Sequence, residues 1–205
     1  MYLVKSPLLL KWYYASLTWN KSRTEKVIYL TFDDGPIPDV TDFVLKTLKD
    51  QQVKATFFCI GDNIRKHPQI FQQLLDDGHR VGNHTFNHLK GWKTADATYL
   101  ENFEQCQVLT GTNLFRPPYG RIRKSQVREI RKRYPEMNII MWDVLSGDFD
   151  LNLSPESCYH NVDKHVENGS IIVFHDSLKA FERMKYALPK IIESMKARGY
   201  QFDVL

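Results

Sequence analysis

Carboxylates and imidazoles stand at positions where predicted β-strands end. Asp33 and Asp34 follow an apolar, β-branched run at 27–32, within the sequence Asp-Asp-Gly-Pro. His84 ends another such run, and His175 follows a third. In α/β proteins, functional residues gather at the carboxyl ends of parallel strands. The shared placement of these side chains therefore indicates a catalytic site.

His84 and His88 are four residues apart in the sequence His-Thr-Phe-Asn-His. This spacing predicts that both imidazoles lie on one face of a helical turn, where they can share a metal ion. The pair alone is a weak signal, because such spacing arises by chance. Beside a strand-end carboxylate it is stronger, since two histidines and one aspartate leave coordination positions open for water and substrate.

The two adjacent aspartates need not share one role. Successive side chains point to different sides as a strand ends, so one carboxylate can bind metal while its neighbour accepts a proton. Asp-Asp-Gly-Pro is also good turn chemistry. A turn alone explains Gly35 and Pro36, but it does not explain why two like charges follow an apolar strand. His175 is a further candidate acid or base.

Short apolar segments alternate with amphipathic ones along the chain. Strands are predicted at 27–32, 54–59, 80–84, 114–116, 138–143, 170–174 and 201–204. Helices are predicted at 39–50, 63–77, 98–110 and 184–198. Seven strands alternating with helices predict an α/β fold with a parallel sheet, either open and doubly wound or closed into a barrel.

The composition is that of one globular domain. A chain of 205 residues with 42% hydrophobic and 25% charged residues can bury a substantial core. Three cysteines without a Cys-x-x-Cys pair predict neither a disulfide framework nor a cysteine zinc site. The densest basic group lies at 121–133 and is interpreted as a solvated helix face, with an anionic polymer or membrane surface as the alternative.

Residues 1–25 are predicted to be an N-terminal extension packed on a single domain formed by residues 26–205. Lys5 and Lys11 interrupt the apolar start of the chain. A secretory apolar region needs roughly 7–15 residues and a membrane span about 20, so neither is predicted. The lack of a clear signal suggests the cytoplasm, with the cell envelope as the alternative.

Four ordered motifs carry a family resemblance. They are Thr31-Phe-Asp-Asp-Gly35, His84-Thr-Phe-Asn-His88, Arg116-Pro-Pro-Tyr-Gly120 and Ile172-Val-Phe-His175. From about Val27 onward the chain resembles the polysaccharide deacetylases of carbohydrate esterase family four, the NodB homology domain. The resemblance implies a distorted (β/α) barrel with about seven parallel strands. It also implies release of acetate from N-acetylglucosamine-containing poly- or oligosaccharides. We expect an N-acetylated carbohydrate partner and no nucleic acid.

The resemblance also assigns metal ligands. Asp34, His84 and His88 match the family's ligands of a divalent metal, usually zinc and sometimes cobalt or nickel. Such a metal lowers the pKa of bound water toward about 7 and polarises a carbonyl group.

The remaining motif residues match the acid–base machinery. Asp33 matches the catalytic base, His175 the catalytic acid, and Arg116 the arginine that orients the base. The backbone N–H of Tyr119 would help to bind the oxyanion. Aromatic side chains near these motifs are candidates for stacking on sugar rings, although each is more commonly a packing residue: Trp92, Tyr119, Trp142 and Phe149.

One position departs from the family pattern. Leu145 stands where the family commonly has an aspartate, and Phe149 where it has a tryptophan. The missing aspartate is the one expected to support His175, which without a nearby anion should hold its proton less well. Our hypothesis is that Asp143 or Asp148 substitutes for it.

Two alternatives use the same residues differently. A non-catalytic carbohydrate-binding relative would keep the cleft without the chemistry. A non-haem Fe(II) oxygenase also binds its metal with two histidines and one carboxylate. Asp33 and His175, placed for proton transfer, favour hydrolysis over both. The choice among peptidoglycan, chitin oligosaccharides and other polysaccharides stays open.

Overall fold

A computed structural model describes residues 2–205 and has a curled parallel sheet with helices packed outside it. The seven strands run in the spatial order β5-β4-β3-β2-β1-β7-β6, and each neighbouring pair is parallel. They are β1 Val27–Asp33, β2 Thr56–Cys59, β3 Arg80–Asn83, β4 Leu114–Phe115, β5 Asn138–Ile139, β6 Val144–Leu145 and β7 Ile171–His175. A short β8, Gln201–Phe202, pairs with the start of β1. The prediction of a distorted (β/α) barrel with about seven parallel strands is confirmed.

Residues 2–205 contain eight α-helices, of which the first precedes β1 and the others lie between successive strands. They are α1 Leu8–Tyr13, α2 Val40–Asp50, α3 Gly61–Lys66, α4 Pro68–Asp76, α5 Asp96–Thr110, α6 Lys124–Arg133, α7 Pro155–Asp163 and α8 Phe181–Ala197. None of them combines the length and apolar character that a membrane span requires.

Two predicted elements are divided in the structure. The helix predicted over 63–77 becomes α3 and α4, because Pro68 cannot donate a helical hydrogen bond and starts a new helix instead. The strand predicted over 138–143 ends at Ile139, and a separate strand, β6, begins at Val144. The short intervening segment leads from one edge of the sheet to the other.

The side chains of strand β1 point alternately to the apolar core and to the inside of the curled sheet, where the site lies. Ile28, Leu30 and Phe32 are fully buried in the core cluster that includes residues of α2 and α8. Thr31 and Asp33 alternate with them and therefore point to the opposite face. On that face both contact the side chain of Arg116 inside the curled sheet.

The N-terminal segment, residues 2–25, covers the gap between β5 and β6. The Thr18 N–H donates to the carbonyl of Ile139 at 3.0 Å, and the Leu145 N–H donates to Val4 at 2.8 Å. These bonds occupy backbone groups at the two edges of the sheet, which would otherwise be open. The division of the chain into residues 1–25 and 26–205 stays a prediction.

The carboxylate of Asp143 fastens this segment. It is fully buried and accepts from Lys5 at 2.8 Å, Lys11 at 2.5 Å and Arg23 at 3.0 Å. The hydroxyl of Ser170 donates to it at 2.6 Å. Burial favours the neutral acid, but the bonds from Lys11, Lys5, Ser170 and Arg23 outweigh it and lower the pKa of Asp143 to about 2.

We expect Asp143→Asn to lower the free energy of unfolding by about 2–3 kcal/mol at neutral pH, because the segment's cations lose their buried partner. The native pKa lies below the unfolded value, so this contribution is present above about pH 4 and is lost as pH falls through about 2. Urea unfolding at several pH values measures it. Asp96→Asn breaks an exposed pair with Arg123 and should change stability by less than about 1 kcal/mol. Equal effects of the two variants would contradict this account.

Candidate active site

Asp33 is the last residue of β1, and Arg116 holds its side chain inside the barrel. The guanidinium donates to Asp33 Oδ1 and to Thr31 Oγ1, both at 2.7 Å, and to the carbonyl of Met141 at 3.0 Å. Its plane lies over the ring of Phe58, with 4.1 Å between the guanidinium carbon and the ring centroid. These contacts fix the guanidinium of Arg116, which in turn holds the carboxylate of Asp33 in one position.

The same contacts set the charge of Asp33. Burial raises the pKa of this carboxyl, but Arg116, with smaller contributions from His84 and His175, outweighs burial and holds the pKa below its usual range. Asp33 is therefore ionised at neutral pH. An ionised, immobilised carboxylate can accept a proton from a water molecule placed beside it.

Asp34, His84 and His88 converge beside Asp33. One donor atom from each lies within 4.8 Å of the others. Asp34 Oδ1 is 3.3 Å from His88 Nε2 and 3.8 Å from His84 Nε2. The sequence motifs predicted this set of three residues as metal ligands, and the structure brings them together.

The donor atoms of this group fit a divalent cation. Asp34 Oδ1 is buried and has no hydrogen-bond partner in residues 2–205. His84 Nδ1 lies 2.7 Å from the carbonyl of Arg116, which requires a proton on Nδ1 and leaves the Nε2 lone pair facing Asp34. Burial lowers the pKa of His84, and burial together with His84 lowers that of His88 to about 4. Both imidazoles are therefore neutral, as a metal ligand must be.

The loop that carries the two histidines is not the helical turn that their spacing suggested. Thr85 and His88 have φ angles of 63° and 56°, in the left-handed region, so no helix forms there. The side chain of Asn102 on α5 accepts from the N–H groups of Phe86 and Asn87 at 3.0 and 2.9 Å. An irregular loop held by α5 thus brings His84 and His88 together, as a helical turn was expected to do.

His175, at the end of β7, is paired with Asp148. Its Nδ1 lies 2.7 Å from Asp148 Oδ1, and its backbone N–H donates to Oδ2 at 2.7 Å. Burial alone would lower the pKa of His175, but the fully buried Asp148 carboxylate outweighs burial and raises it to about 9. His175 is therefore protonated at neutral pH and can act as an acid.

This pairing bears on the hypothesis that Asp143 or Asp148 takes the place of the aspartate missing at Leu145. His175 does not lack a nearby anion, because the Asp148 carboxylate lies beside its imidazole and raises its pKa. Of the two proposed substitutes, only Asp148 contacts His175. Asp143 binds the N-terminal segment instead and does not line the cleft.

Comparison with known proteins agrees with this geometry. The family described as polysaccharide deacetylase matches residues 20–135. The chain belongs to this family. It is 34% identical over 196 residues to a peptidoglycan-N-acetylglucosamine deacetylase of Bacillus cereus, covering 91% of this chain and 89% of the relative. It is 30% identical over 209 residues to a chitooligosaccharide deacetylase of Azorhizobium caulinodans, covering 93% and 96%.

A solved structure extends the likeness to the whole fold. The crystal structure of the Bc1960 peptidoglycan N-acetylglucosamine deacetylase, in complex with 4-naphthalen-1-yl-N-oxidanyl-benzamide, has a TM-score of 0.86 and 29% identity. The likeness covers 98% of this chain and 95% of that one. The predictions of the family and of a deacetylase enzyme are confirmed.

In this polysaccharide deacetylase the two adjacent carboxylates and the three imidazoles described above line a cleft of about 780 Å³. The aromatic side chains singled out in the sequence all line it: Trp92, Tyr119, Trp142 and Phe149. Tyr119 has a φ of 59° and is half exposed, with its ring centroid 4.5 Å from that of His88. The N-terminal segment adds residues such as Leu10 and Tyr14 to the wall. The cleft therefore has the size and apolar surface that suit sugar rings.

Several supporting residues were not predicted from the sequence. Asn102 holds the histidine loop, and Asp176 accepts from the Gly35 N–H at 2.9 Å and from the Thr41 hydroxyl at 2.7 Å. Asp176 directly follows His175, and a second carboxylate beside a strand-end histidine was a usable signal. Asn102 lies inside an ordinary helix, and no local pattern marks it.

We expect Asp148→Asn to lower the pKa of His175 from about 9, because burial would then be opposed only by the smaller contributions of Asp34 and Asp33. A histidine NMR titration of the metal-free protein measures this directly. Asp150→Asn alters a partly exposed neighbour and should leave the His175 titration in place. A His175 pKa that stays near 9 in Asp148→Asn would show that another group holds the proton.

Proposed function

We propose that this enzyme removes N-acetyl groups from N-acetylglucosamine-containing poly- or oligosaccharides with the help of a divalent metal. Asp34, His84 and His88 would hold the metal, with zinc as the first candidate and cobalt or nickel as alternatives. One observation carries the proposal. A deprotonated carboxylate, Asp33, and a protonated imidazole, His175, both line the cleft that contains this donor set.

The chemistry follows from these charges. A divalent metal supplies a Lewis acid that polarises the acetyl carbonyl and lowers the pKa of water toward about 7. Asp33 Oδ2 is free of Arg116 and accepts the proton of the attacking water. His175 Nε2 donates its proton to the departing amine, since Nδ1 is bound to Asp148. The backbone N–H of Tyr119 would stabilise the oxyanion. The products are acetate and a free amino sugar.

The two ionisation states coexist over a wide pH range. Asp33 has a pKa below its usual range and His175 a pKa of about 9, so both are in the required form at neutral pH. Activity should fall at alkaline pH as His175 loses its proton. Other enzymes likewise use the surroundings of two titratable groups to move their pKa values apart.

The acid–base pairs also separate hydrolysis from the alternatives. A binding protein has no use for the buried Arg116–Asp33 and Asp148–His175 pairs, whose desolvation costs stability. An Fe(II) oxygenase would use the same donor set but would need no acid opposite a base. Metal content together with an oxygen-consumption measurement distinguishes that case.

The substrate class rests on the relatives. Those described above are a peptidoglycan-N-acetylglucosamine deacetylase and a chitooligosaccharide deacetylase, which share N-acetylglucosamine as the sugar in question. We propose this sugar as the unit that enters the cleft. The aromatic rings of Tyr119 and Trp142 offer apolar faces for it.

Acetate release tests the function. We expect release from N-acetylglucosamine oligomers or peptidoglycan fragments, its loss on chelation, and its return with zinc or cobalt. Asp34→Ala should lose both bound metal and activity, because Asp34 supplies the charged ligand. Asp50→Ala removes an exposed carboxylate on α2 and serves as the control. Full activity after complete metal removal would refute the proposal.

A second variant tests the base. We expect Asp33→Asn to lower kcat by about 10²- to 10⁴-fold, since the amide cannot accept a proton. Bound zinc, measured by elemental analysis, should remain at the wild-type level because Asp34, His84 and His88 are unchanged. Asp203→Asn, near the C-terminus, provides a matched control. Wild-type kcat in Asp33→Asn would assign the base to another residue.

A further inference from the structure

Helix α1 exposes a contiguous set of large apolar side chains. Leu8, Leu9, Trp12 and Tyr13 are 82%, 80%, 78% and 58% exposed. Leu8 with Trp12, and Leu9 with Tyr13, are four residues apart, so the four lie on one side of the helix. We call these four residues the α1 face. Large apolar groups exposed singly are ordinary, whereas a contiguous set marks an interaction surface.

The opposite side of α1 belongs to the cleft. Leu10 lines it, as does Tyr14 directly after the helix, whereas none of the four residues of the α1 face does. The helix is therefore part of the wall between the cleft and the surrounding solvent. Whatever covers the α1 face lies close to the entrance for the substrate.

A basic helix face lies beside the α1 face. Lys124, Arg128 and Arg131 follow the i, i+4, i+7 spacing along α6, and we call them the α6 basic face. Lys124 Nζ is 4.1 Å from the ring centroid of Tyr13, and Arg131 donates to the carbonyl of Ser16 just after α1. The two faces are therefore continuous.

The charges of these cations are not neutralised by close carboxylates in the described residues. Lys124 and Arg131 have no carboxylate within 4.0 Å in residues 2–205, and Arg128 reaches Glu129 only at 3.9 Å. The neighbouring Arg123 and Arg133, in contrast, are paired with Asp96 and Glu104. The α6 basic face is thus left with a net positive charge that can attract an anionic surface.

We propose that the α1 face and the α6 basic face together bind the surface of an anionic lipid bilayer. Leu8, Leu9 and Trp12 would enter the headgroup region, where tryptophan is favoured, and the cations would contact lipid phosphates. A second copy of the chain fits less well, because it would bring two like-charged faces together. A soluble anionic polymer would use the cations but would leave the apolar residues uncovered.

Binding through this surface sets the position of the active site relative to the membrane. Because α1 borders the cleft, binding brings the active site next to the lipid headgroups. A short helix with few apolar residues gives weak binding alone, so the charge of α6 is a necessary second contribution. Binding should therefore depend on both lipid charge and salt.

Vesicle binding by the full chain tests the proposal. We expect co-sedimentation with vesicles of phosphatidylcholine and phosphatidylglycerol, little with phosphatidylcholine alone, and release by high salt. Leu8→Ser/Leu9→Ser should weaken partitioning at least about tenfold, since two large apolar side chains are lost. Lys124→Glu/Arg128→Glu should weaken it similarly. Tryptophan fluorescence should shift to the blue on binding, and Trp12→Phe should remove most of that shift.

Matched variants guard against nonspecific effects. Val108→Ser/Leu151→Ser removes two apolar side chains that are 85% and 67% exposed elsewhere, and it should bind as the wild type does. Lys49→Glu/Lys190→Glu makes the same charge change on α2 and α8 and should be weakened much less than the α6 variant. Circular dichroism melting checks folding, and acetate release from a soluble oligomer should be unchanged in Leu8→Ser/Leu9→Ser.

Three outcomes would overturn the proposal. The first is an absence of vesicle binding by the wild type. The second is equal binding to neutral and anionic vesicles. The third is a concentration-dependent dimer in sedimentation velocity that Leu8→Ser/Leu9→Ser abolishes, because a second copy would then be the occupant of the α1 face.

Discussion

The guanidinium of Arg116 is fully buried inside the curled sheet, where its charge requires a carboxylate partner. Its side chain fixes Asp33, while its own backbone carbonyl fixes the ring of His84. One residue at the end of β4 therefore orients both a proposed base and a proposed metal ligand. The geometry of the site therefore depends on the distance between the ends of β1 and β4, which the Arg116–Asp33 hydrogen bond spans. Lysine could not replace Arg116, because the planar guanidinium donates hydrogen bonds to Thr31, Asp33 and Met141 at the same time.

The site uses two buried charge pairs to opposite effect. Beside Arg116 the carboxyl of Asp33 loses its proton more easily, and beside Asp148 the imidazole of His175 holds its proton more tightly. Neither state would survive burial alone, since burial opposes charge in both groups. The positions of the partners therefore decide which group is suited to accept a proton and which to donate one. Four residues of the site, Asp34, Thr85, His88 and Tyr119, also have positive φ angles, a cost that functional sites commonly carry.

The placement of Asp33, Asp34 and His84 at strand ends indicated a shared site, whereas the assignment of base and metal ligands among them came from the family resemblance. The sequence was less informative where geometry depends on distant residues. The spacing of His84 and His88 suggested a helical turn, but the loop shape is set by Asn102, which is fourteen positions beyond His88. Strand periodicity placed Asp143 on the same side as Leu145 and gave no reason to choose Asp148 over it. The chain turns at Gly147, which has a φ of 79°, and Asp148 contacts His175 at the end of β7. A strand pattern does not predict the position of such a turn.

The N-terminal segment shows a second limit of sequence patterns. Its contacts with β5 and β6 include backbone hydrogen bonds, which leave no signature in side-chain type. Its side chains also contribute, because Leu17 and Trp19 pack in the cluster that contains Ile139, and its cations contact the buried carboxylate of Asp143. Once fastened there, the segment must carry α1 past the cleft, since α1 lies between Ser6, bonded near β6, and Thr18, bonded near β5. The same connection that closes the gap in the sheet therefore positions an apolar helix at the entrance to the active site.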